Sequence, residues 1–163
     1  LLLVIGKTEG HLDQSLFARD VLNEKNGPPP EINLFNEKNN GETILKLISQ
    51  NFIKAAHDVS LGGIITALSK MCIKGKKGVT LKKPNYLINQ FEYLFGEDQG
   101  RYIIEISKDD LKNVIKILKE NSVHFDELGY VNEKSLIVDD KTKVSIDDLI
   151  KSHTIWLTNY MNK

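Results

Sequence analysis

The stretch around His57 to Cys72 constrains this chain most. A short apolar run, Ile53 to Ala56, leads into His57-Asp58-Val59-Ser60-Leu61-Gly62-Gly63, and then Ile64, Ile65, Ala67, Leu68, Met71 and Cys72 recur at helical spacing. A buried strand that passes through a polar, glycine-bearing turn into an amphipathic helix is a building unit of α/β and α+β domains. The remaining periodicities agree with it. Leu1 to Ile5 reads as a buried strand ended by Gly6, and Leu16, Phe17, Ala18 and Val21 predict a helix over about Asp13 to Leu22. Asn26-Gly27-Pro28-Pro29-Pro30 stops any helix, because proline lacks an amide donor and forces its predecessor out of the α region. Ile44, Leu45, Leu47, Ile48 and Phe52 mark a helix beginning near Asn33.

Further on, Val79 to Leu81 reads as a strand, Pro84 as the start of a helix carrying Leu87, Ile88, Phe91 and Leu94, and Tyr102 to Ile106 as a strand. Ser107-Lys108-Asp109-Asp110 resembles a capping box opening a helix through Leu118, strands follow at Phe125 to Val131 and Leu136 to Val138, and Ser145 opens a last helix through Tyr160. No repeat interrupts the order. The expected fold class is α/β (α+β), one domain over residues 1–163 with a mixed β-sheet flanked by helices. At 163 residues such a domain buries a sizeable core without staples.

Composition removes several function classes. The 22 Lys+Arg balance the 22 Asp+Glu, so no global charge draws the chain to nucleic acid or to a membrane surface. The lysine clusters, Lys74, Lys76, Lys77 and then Lys82 and Lys83, have no aromatics among them and fall where turns are expected. A single cysteine, Cys72, rules out a disulfide framework within the chain and sits on an apolar stripe, which suits a core residue better than a nucleophile. His11, His57, His124 and His153 lie far apart without a second ligand at metal spacing, so zinc is not expected. The five apolar residues that open the chain are too few for a signal peptide or a membrane span, and they read as a strand entered partway along a longer protein.

Two segments carry chemistry. At His57 to Gly63, a helix N-terminus offers unpaired amides and glycines admit a phosphate close to the backbone, so Ser60, Gly62 and Gly63 are candidate nucleotide contacts. Asp58 would repel a bare phosphate and makes sense beside one as a Mg²⁺ ligand. Spacing alone favours the plainer reading, a capped helix with a tight turn. The second segment is Phe95-Gly96-Glu97-Asp98-Gln99-Gly100-Arg101. Arginine is scarce here, only Arg19 and Arg101, and the Arg101 fork suits bidentate phosphate or carboxylate recognition, with Gln99 beside it. A salt bridge from Arg101 to Glu97 or Asp98 explains the same residues equally well.

Taken in order, these pieces resemble the C-terminal domain of the synthetase subunit of phosphoribosylformylglycinamidine synthases, of the aminoimidazole-ribonucleotide-synthetase type. The resemblance runs over nearly the whole chain: Gly6-Lys7-Thr8, the Gly10 to Ser15 turn, Pro28-Pro29-Pro30, Leu34, Glu37, Lys38, Asn40 and Gly41, His57 to Ser60 with Gly62-Gly63, Phe95 to Arg101, Gly129-Tyr130-Val131, and the tail His153, Trp156-Leu157, Tyr160-Met161. It implies a C-terminal piece of a cytoplasmic, ATP- and Mg²⁺-dependent ligase that turns formylglycinamide ribonucleotide into its amidine with ammonia from glutamine. Implied partners are upstream domains of the same synthetase, a glutaminase subunit and a small accessory subunit. By position, Asp58 is the implied Mg²⁺ ligand and Ser60 a nucleotide contact, while the catalytic His lies in a domain absent here. An isolated domain of this kind is not expected to turn over. Leu61 stands where the family usually has Asp, and Asp13 where it tends to have Gly. The alternative is a mainly structural or docking domain with a decayed nucleotide site. A sister ATP-dependent synthetase acting on aminoimidazole ribonucleotide precursors, thiamine phosphate or selenophosphate fits less well, because of the triple proline and the Trp156-Leu157 tail.

Overall fold

The computed structural model describes residues 1–139 and 141–162. Strands β1 (Leu2–Ile5), β2 (Ile53–Val59), β3 (Gly78–Leu81), β4 (Arg101–Ile106), β5 (Phe125–Asn132), β6 (Ser135–Ile137) and β7 (Lys143–Ser145) form one sheet in the order β2-β4-β1-β5-β3-β6-β7. Helices α1 (Leu34–Ser49), α2 (Gly63–Gly75), α3 (Gln90–Phe95), α4 (Leu111–Glu120) and α5 (Ile146–Met161) pack beside it. All pairings are antiparallel except β3 with β6, so the sheet is mixed, as expected.

The unbroken apolar run at the N-terminus has a direct cause. β1 lies between β4 and β5 and is buried on both faces, so both sets of alternating side chains must be apolar. Leu2 and Val4 join Ile103, Leu128 and residues of α2 and α3 in one core layer. Leu3 and Ile5 join Ile104, Ile106 and residues of α1 and α4 in the other. Each layer seals one side of the sheet.

Several boundaries differ from the sequence reading. The helix expected over Asp13 to Leu22 reduces to a π-helical turn, Ala18–Leu22, because Gln14 takes a left-handed φ of 57° and Asn23, at φ 58°, ends the turn. Val21 and Leu22 are consequently exposed. The helix expected from Pro84 starts only at Gln90, where the Asn89 side chain accepts from the Phe91 amide; the preceding residues have no regular structure and Leu87 is fully exposed. The strand read as Ile53 to Ala56 continues to Val59, which carries His57 and Asp58 out of the turn and into the edge strand. On α1, Ile44 and Leu47 are buried while Leu45 and Ile48 face solvent. Ser107 does not cap α4, whose N-cap Asp110 makes no side-chain bond. Ser145 does cap α5, accepting from Asp148 N at 3.0 Å. Strand β7 was not foreseen at all.

Cys72 lies on the inner side of α2 at 1% exposure, and burial pushes its thiol up from 9.0 to about 11. The thiolate is the reactive form, so the native chain is expected to resist alkylation at pH 8 and to react once unfolded in urea. Quantitative labelling of the native chain within minutes would contradict this core assignment. The sign for stability follows from the same shift. A thiol with a raised folded pKa favours folding fully below its unfolded value, and that contribution disappears as pH climbs from about 9 towards 11.

Candidate functional site

Register brings the chemistry-bearing turns to one end of the sheet. Val59 of β2 pairs with Arg101 at the start of β4, and Ile5 at the end of β1 lies opposite both Tyr102 and Phe125. The loop after β1, the turn from β2 into α2 and the loop between α3 and β4 therefore emerge side by side. Their contacts are made almost entirely by the Phe95 to Arg101 segment.

Glu97 and Asp98 each bind backbone amides. Glu97 Oε1 accepts from Gly62 N at 2.7 Å and from Leu16 N at 2.8 Å. Asp98 accepts from three consecutive amides of the loop after β1: Glu9 N at 3.1 Å, Gly10 N at 3.0 Å and His11 N at 3.1 Å. Successive amides curled around one carboxylate form an anion-binding nest, and here the anion belongs to the chain itself. Gly10 holds its part at φ +83°, where a side chain would collide with Glu92.

Arg101 completes the arrangement from within. Its side chain is 0% exposed; Nε donates to Asp98 O at 3.1 Å, Nη1 to Thr8 Oγ1 at 3.1 Å and Nη2 to Gly96 O at 2.6 Å, with Asp98 Oδ2 3.5 Å from Nη1. Burial draws the guanidinium below its ordinary pKa and the Asp98 carboxylate opposes that shift. Arginine tolerates this without losing its proton. Arg101, read from the sequence as a phosphate or substrate contact, is thus buried among these loops. Its fork is filled by loop carbonyls, a hydroxyl and Asp98, and the salt-bridge reading of this segment holds for Asp98.

The other expected residues lie as follows. Asp58 is on the edge strand with its side chain 67% exposed, its Oδ1 3.4 Å from His57 Nδ1. Ser60 is exposed, and its carbonyl accepts from Gly63 N at 3.0 Å. Gly62 and Gly63 are buried with φ of +82° and +67°. The Gly62 amide, the donor a phosphate would use at the head of α2, is taken by Glu97. An anion at that position must displace a carboxylate already seated there. Gln99 is exposed, with a long 3.4 Å contact from Nε2 to Glu97 O. Among the described residues, no group of three or more His, Cys, Asp or Glu is placed to hold a metal ion. No described helix is long and apolar enough to cross a membrane.

The structure adds a cleft that motif reading missed. A space of about 730 Å³ opens between the loop after β1, the proline loop and the first turns of α1, lined by Lys7, His11, Pro28, Asn36, Glu37 and Gln99 among others. Its floor is tightly built. Asn40 Nδ2 donates to Gly100 O at 2.9 Å, and a Cβ on Gly6 would stand 2.7 Å from that same oxygen. His11 Nε2 lies 3.0 Å from Pro28 O, tying the proline loop to the first loop. The only sequence signal was the order of Gly6-Lys7-Thr8, the prolines and Asn40, which spacing rules for known motifs do not score.

Comparison with known proteins gives these features a family. The phosphoribosylformylglycinamidine synthase subunit PurL of Pelagibacter ubique strain HTCC1062 is 89% identical over 161 residues, which cover 99% of this chain and 22% of that protein. The corresponding subunit of Bartonella henselae is 38% identical over 162 residues, again 22% of its length. The chain thus spans about a fifth of the curated relatives it matches. In fold it is similar to T. maritima PurL complexed with FGAR, at TM-score 0.74 and 19% identity over 92% of this chain and 27% of that one. The same protein complexed with ATP gives TM-score 0.66 at 18% identity, over 92% of this chain and 25% of that one. Residues 1–141 match the family model described as AIR synthase related protein, C-terminal domain, and the chain belongs to that family.

Proposed function

We propose that this chain works as the C-terminal domain of the synthetase subunit of a cytoplasmic phosphoribosylformylglycinamidine synthase, a ligase of purine biosynthesis that uses ATP, Mg²⁺ and glutamine-derived ammonia. The 89% identity to the Pelagibacter subunit along 99% of the chain carries this reading. The residues divide into two kinds. Glu97, Asp98 and Arg101 build the loops, while Asp58, Ser60, Gln99 and the walls of the 730 Å³ cleft offer polar groups towards whatever packs against that end of the sheet. Upstream domains of the same synthetase would supply the opposite wall and the catalytic groups, with the glutaminase and small accessory subunits as further partners. The isolated domain then has only part of a cleft and does not turn over.

The fit to Mg²⁺ is partial. Asp58 is an exposed hard-oxygen ligand, yet among the described residues it belongs to no group of three or more His, Cys, Asp or Glu placed to hold a metal ion. It would hold the ion only together with nucleotide phosphates and donors from elsewhere in the synthetase, where Mg²⁺ would neutralise phosphate charge. In the full synthetase, Asp58→Asn is expected to raise the Mg²⁺ concentration needed for half-maximal activity about tenfold, the weight of one charged oxygen ligand of roughly 1.4 kcal/mol. Unchanged Mg²⁺ dependence and unchanged ATP affinity would remove Asp58 from the site.

One observation favours the second reading, a scaffold or docking domain. The Gly62 amide is already capped by Glu97, and Leu61 beside it is 62% exposed. Nucleotide binding by Leu61→Asp separates the two: a large gain over the parent supports a decayed site, and no gain leaves the enzyme reading standing.

A further inference from the structure

Helix α5 carries an apolar stripe along its whole length, and this domain covers only the first half of it. Ile146 is buried, and Leu149 and Ile150 pack on the core layer that contains α2. Trp156 and Leu157 follow those two after two helical turns, and Tyr160 and Met161 follow one turn later, so all of them continue the same face. These last four are 57–73% exposed. The face that the domain buries at the start of α5 therefore overhangs it at the end. The Trp156 and Tyr160 rings are stacked, with centroids 5.3 Å apart and planes at 12°, and present a broad aromatic surface.

Charge is missing from the same stretch. Residues 152–162 contain no Asp, Glu, Lys or Arg, in a chain that is 27% charged. A helix end that simply faces water has charged residues on it, and one that lies on an anionic membrane has Lys and Arg along its polar side. Neither pattern is present. Exposed Trp and Tyr on an uncharged helix are the residues that anchor protein interfaces, and a helix end without a packed face is marginal in water. Two comparisons bear on what covers it. The match to the shared family domain ends at residue 141, before α5 begins, whereas the synthetase subunits of Pelagibacter and Bartonella henselae align along 99% of the chain. The helix thus goes with the synthetase subunit rather than with the shared domain, and the aligned region is only 22% of each subunit's length.

We propose that the overhanging face of α5, centred on Trp156, Leu157, Tyr160 and Met161, is the docking face for an upstream part of the same synthetase polypeptide, an apolar, uncharged surface that seats against the stacked rings. The proposal rests on the reading of the chain as the C-terminal domain of such a subunit. A segment of the same polypeptide meets the helix at a high effective concentration, so a face of this size needs no separate subunit to cover it.

The test uses the full-length synthetase subunit with the photo-crosslinking residue benzoylphenylalanine in place of Trp156, irradiated alone and together with the glutaminase and small subunits. Crosslinks within one polypeptide, to residues upstream of this domain, are expected in both samples. Crosslinks only to a second copy, crosslinks only to another subunit, or no crosslink at all would each overturn the proposal. Hydrogen exchange on the unmodified full-length subunit needs no variant: the amides of residues 154–161 are expected to be protected, and their exchange within seconds would mean that the helix end is bare. Trp156→Ala is expected to lower the melting temperature of the full subunit by about 2–4 °C, while Lys151→Ala, an exposed change on the same helix, leaves it unaltered; equal melting of the two variants counts against the docking face. An assay of formylglycinamide ribonucleotide amidation on the same preparations separates the two readings. An inactive subunit that still crosslinks within its own polypeptide keeps the docking face and removes the enzyme reading, and an active one without that crosslink does the reverse.

Discussion

Asp98→Ala is expected to be the most damaging single change away from the hydrophobic layers, lowering unfolding free energy by about 3–5 kcal/mol. The size follows from what the carboxylate holds. Three amides, those of Glu9, Gly10 and His11, lose their acceptor, and Arg101 is left with its charge buried at 0% side-chain exposure. Loss of a buried amide's acceptor and loss of a buried charge's partner act together here, so the effect exceeds that of an ordinary surface pair. Urea denaturation of parent and variant gives the number. Two further variants keep the test sharp if Asp98→Ala fails to fold. Asp98→Asn retains an acceptor without the charge and should lose less. Combining Asp98→Ala with Arg101→Met removes the uncompensated charge and should recover part of the loss, a coupling that a double-mutant cycle measures. If the double variant were as unstable as the sum of the singles, the Asp98–Arg101 pair would not be the centre of this end of the fold.

Gly63→Ala is expected to cost about 2–4 kcal/mol, from a left-handed backbone and overpacking against main-chain atoms together. Gly63 has φ +67°, and a Cβ there would stand 2.7 Å from Leu94 O, 2.7 Å from Phe95 C and 2.8 Å from Gly96 O. None of these is the movable end of a side chain. To admit a methyl group, α2 must move away from the loop after α3, which pulls the Gly62 amide from Glu97 as well. Gly75, at the other end of the same helix, is the control: a Cβ there meets nothing within 4 Å, and replacing glycine with alanine at such a place stabilises a helix slightly. Equal melting temperatures for the two variants would show that the close approach at Gly63 carries no weight. The result also bears on function. The first glycine of the pair offers its amide inward to a carboxylate and the second admits a neighbouring loop, so packing already accounts for both.

The mixed sheet, the order of strands and helices and the core role of Cys72 were legible because burial imposes a period, two along a strand and 3.6 along a helix, that the sequence must obey. β1 is the clearest case, since Leu2, Leu3, Val4 and Ile5 are all buried. Failures occurred where local polar contacts override the period. Leu16 and Val21 lie at helical spacing, yet Gln14 in the left-handed region and Glu97 on the Leu16 amide leave only a π turn. Leu87 and Ile88 continue the stripe of Phe91 and Leu94, yet the Asn89 cap starts the helix after them.

The candidate residues divide along the same line. Sequence alone determined that Asp58, Ser60, Gly62, Gly63, Gln99 and Arg101 belong near chain turns, and the order of motifs pointed to the family that the comparisons show. It could not say which of them face outward. That depends on partners distant in sequence: Thr8, 93 residues from Arg101, receives its Nη1, and Glu97, 35 residues from Gly62, takes its amide. A carboxylate and a guanidinium in a motif look alike whether they await a ligand or satisfy the protein's own backbone. Only the tertiary structure, by bringing three loops to one end of the sheet, decided that Glu97, Asp98 and Arg101 are spent on the fold while Asp58, Ser60 and Gln99 remain exposed.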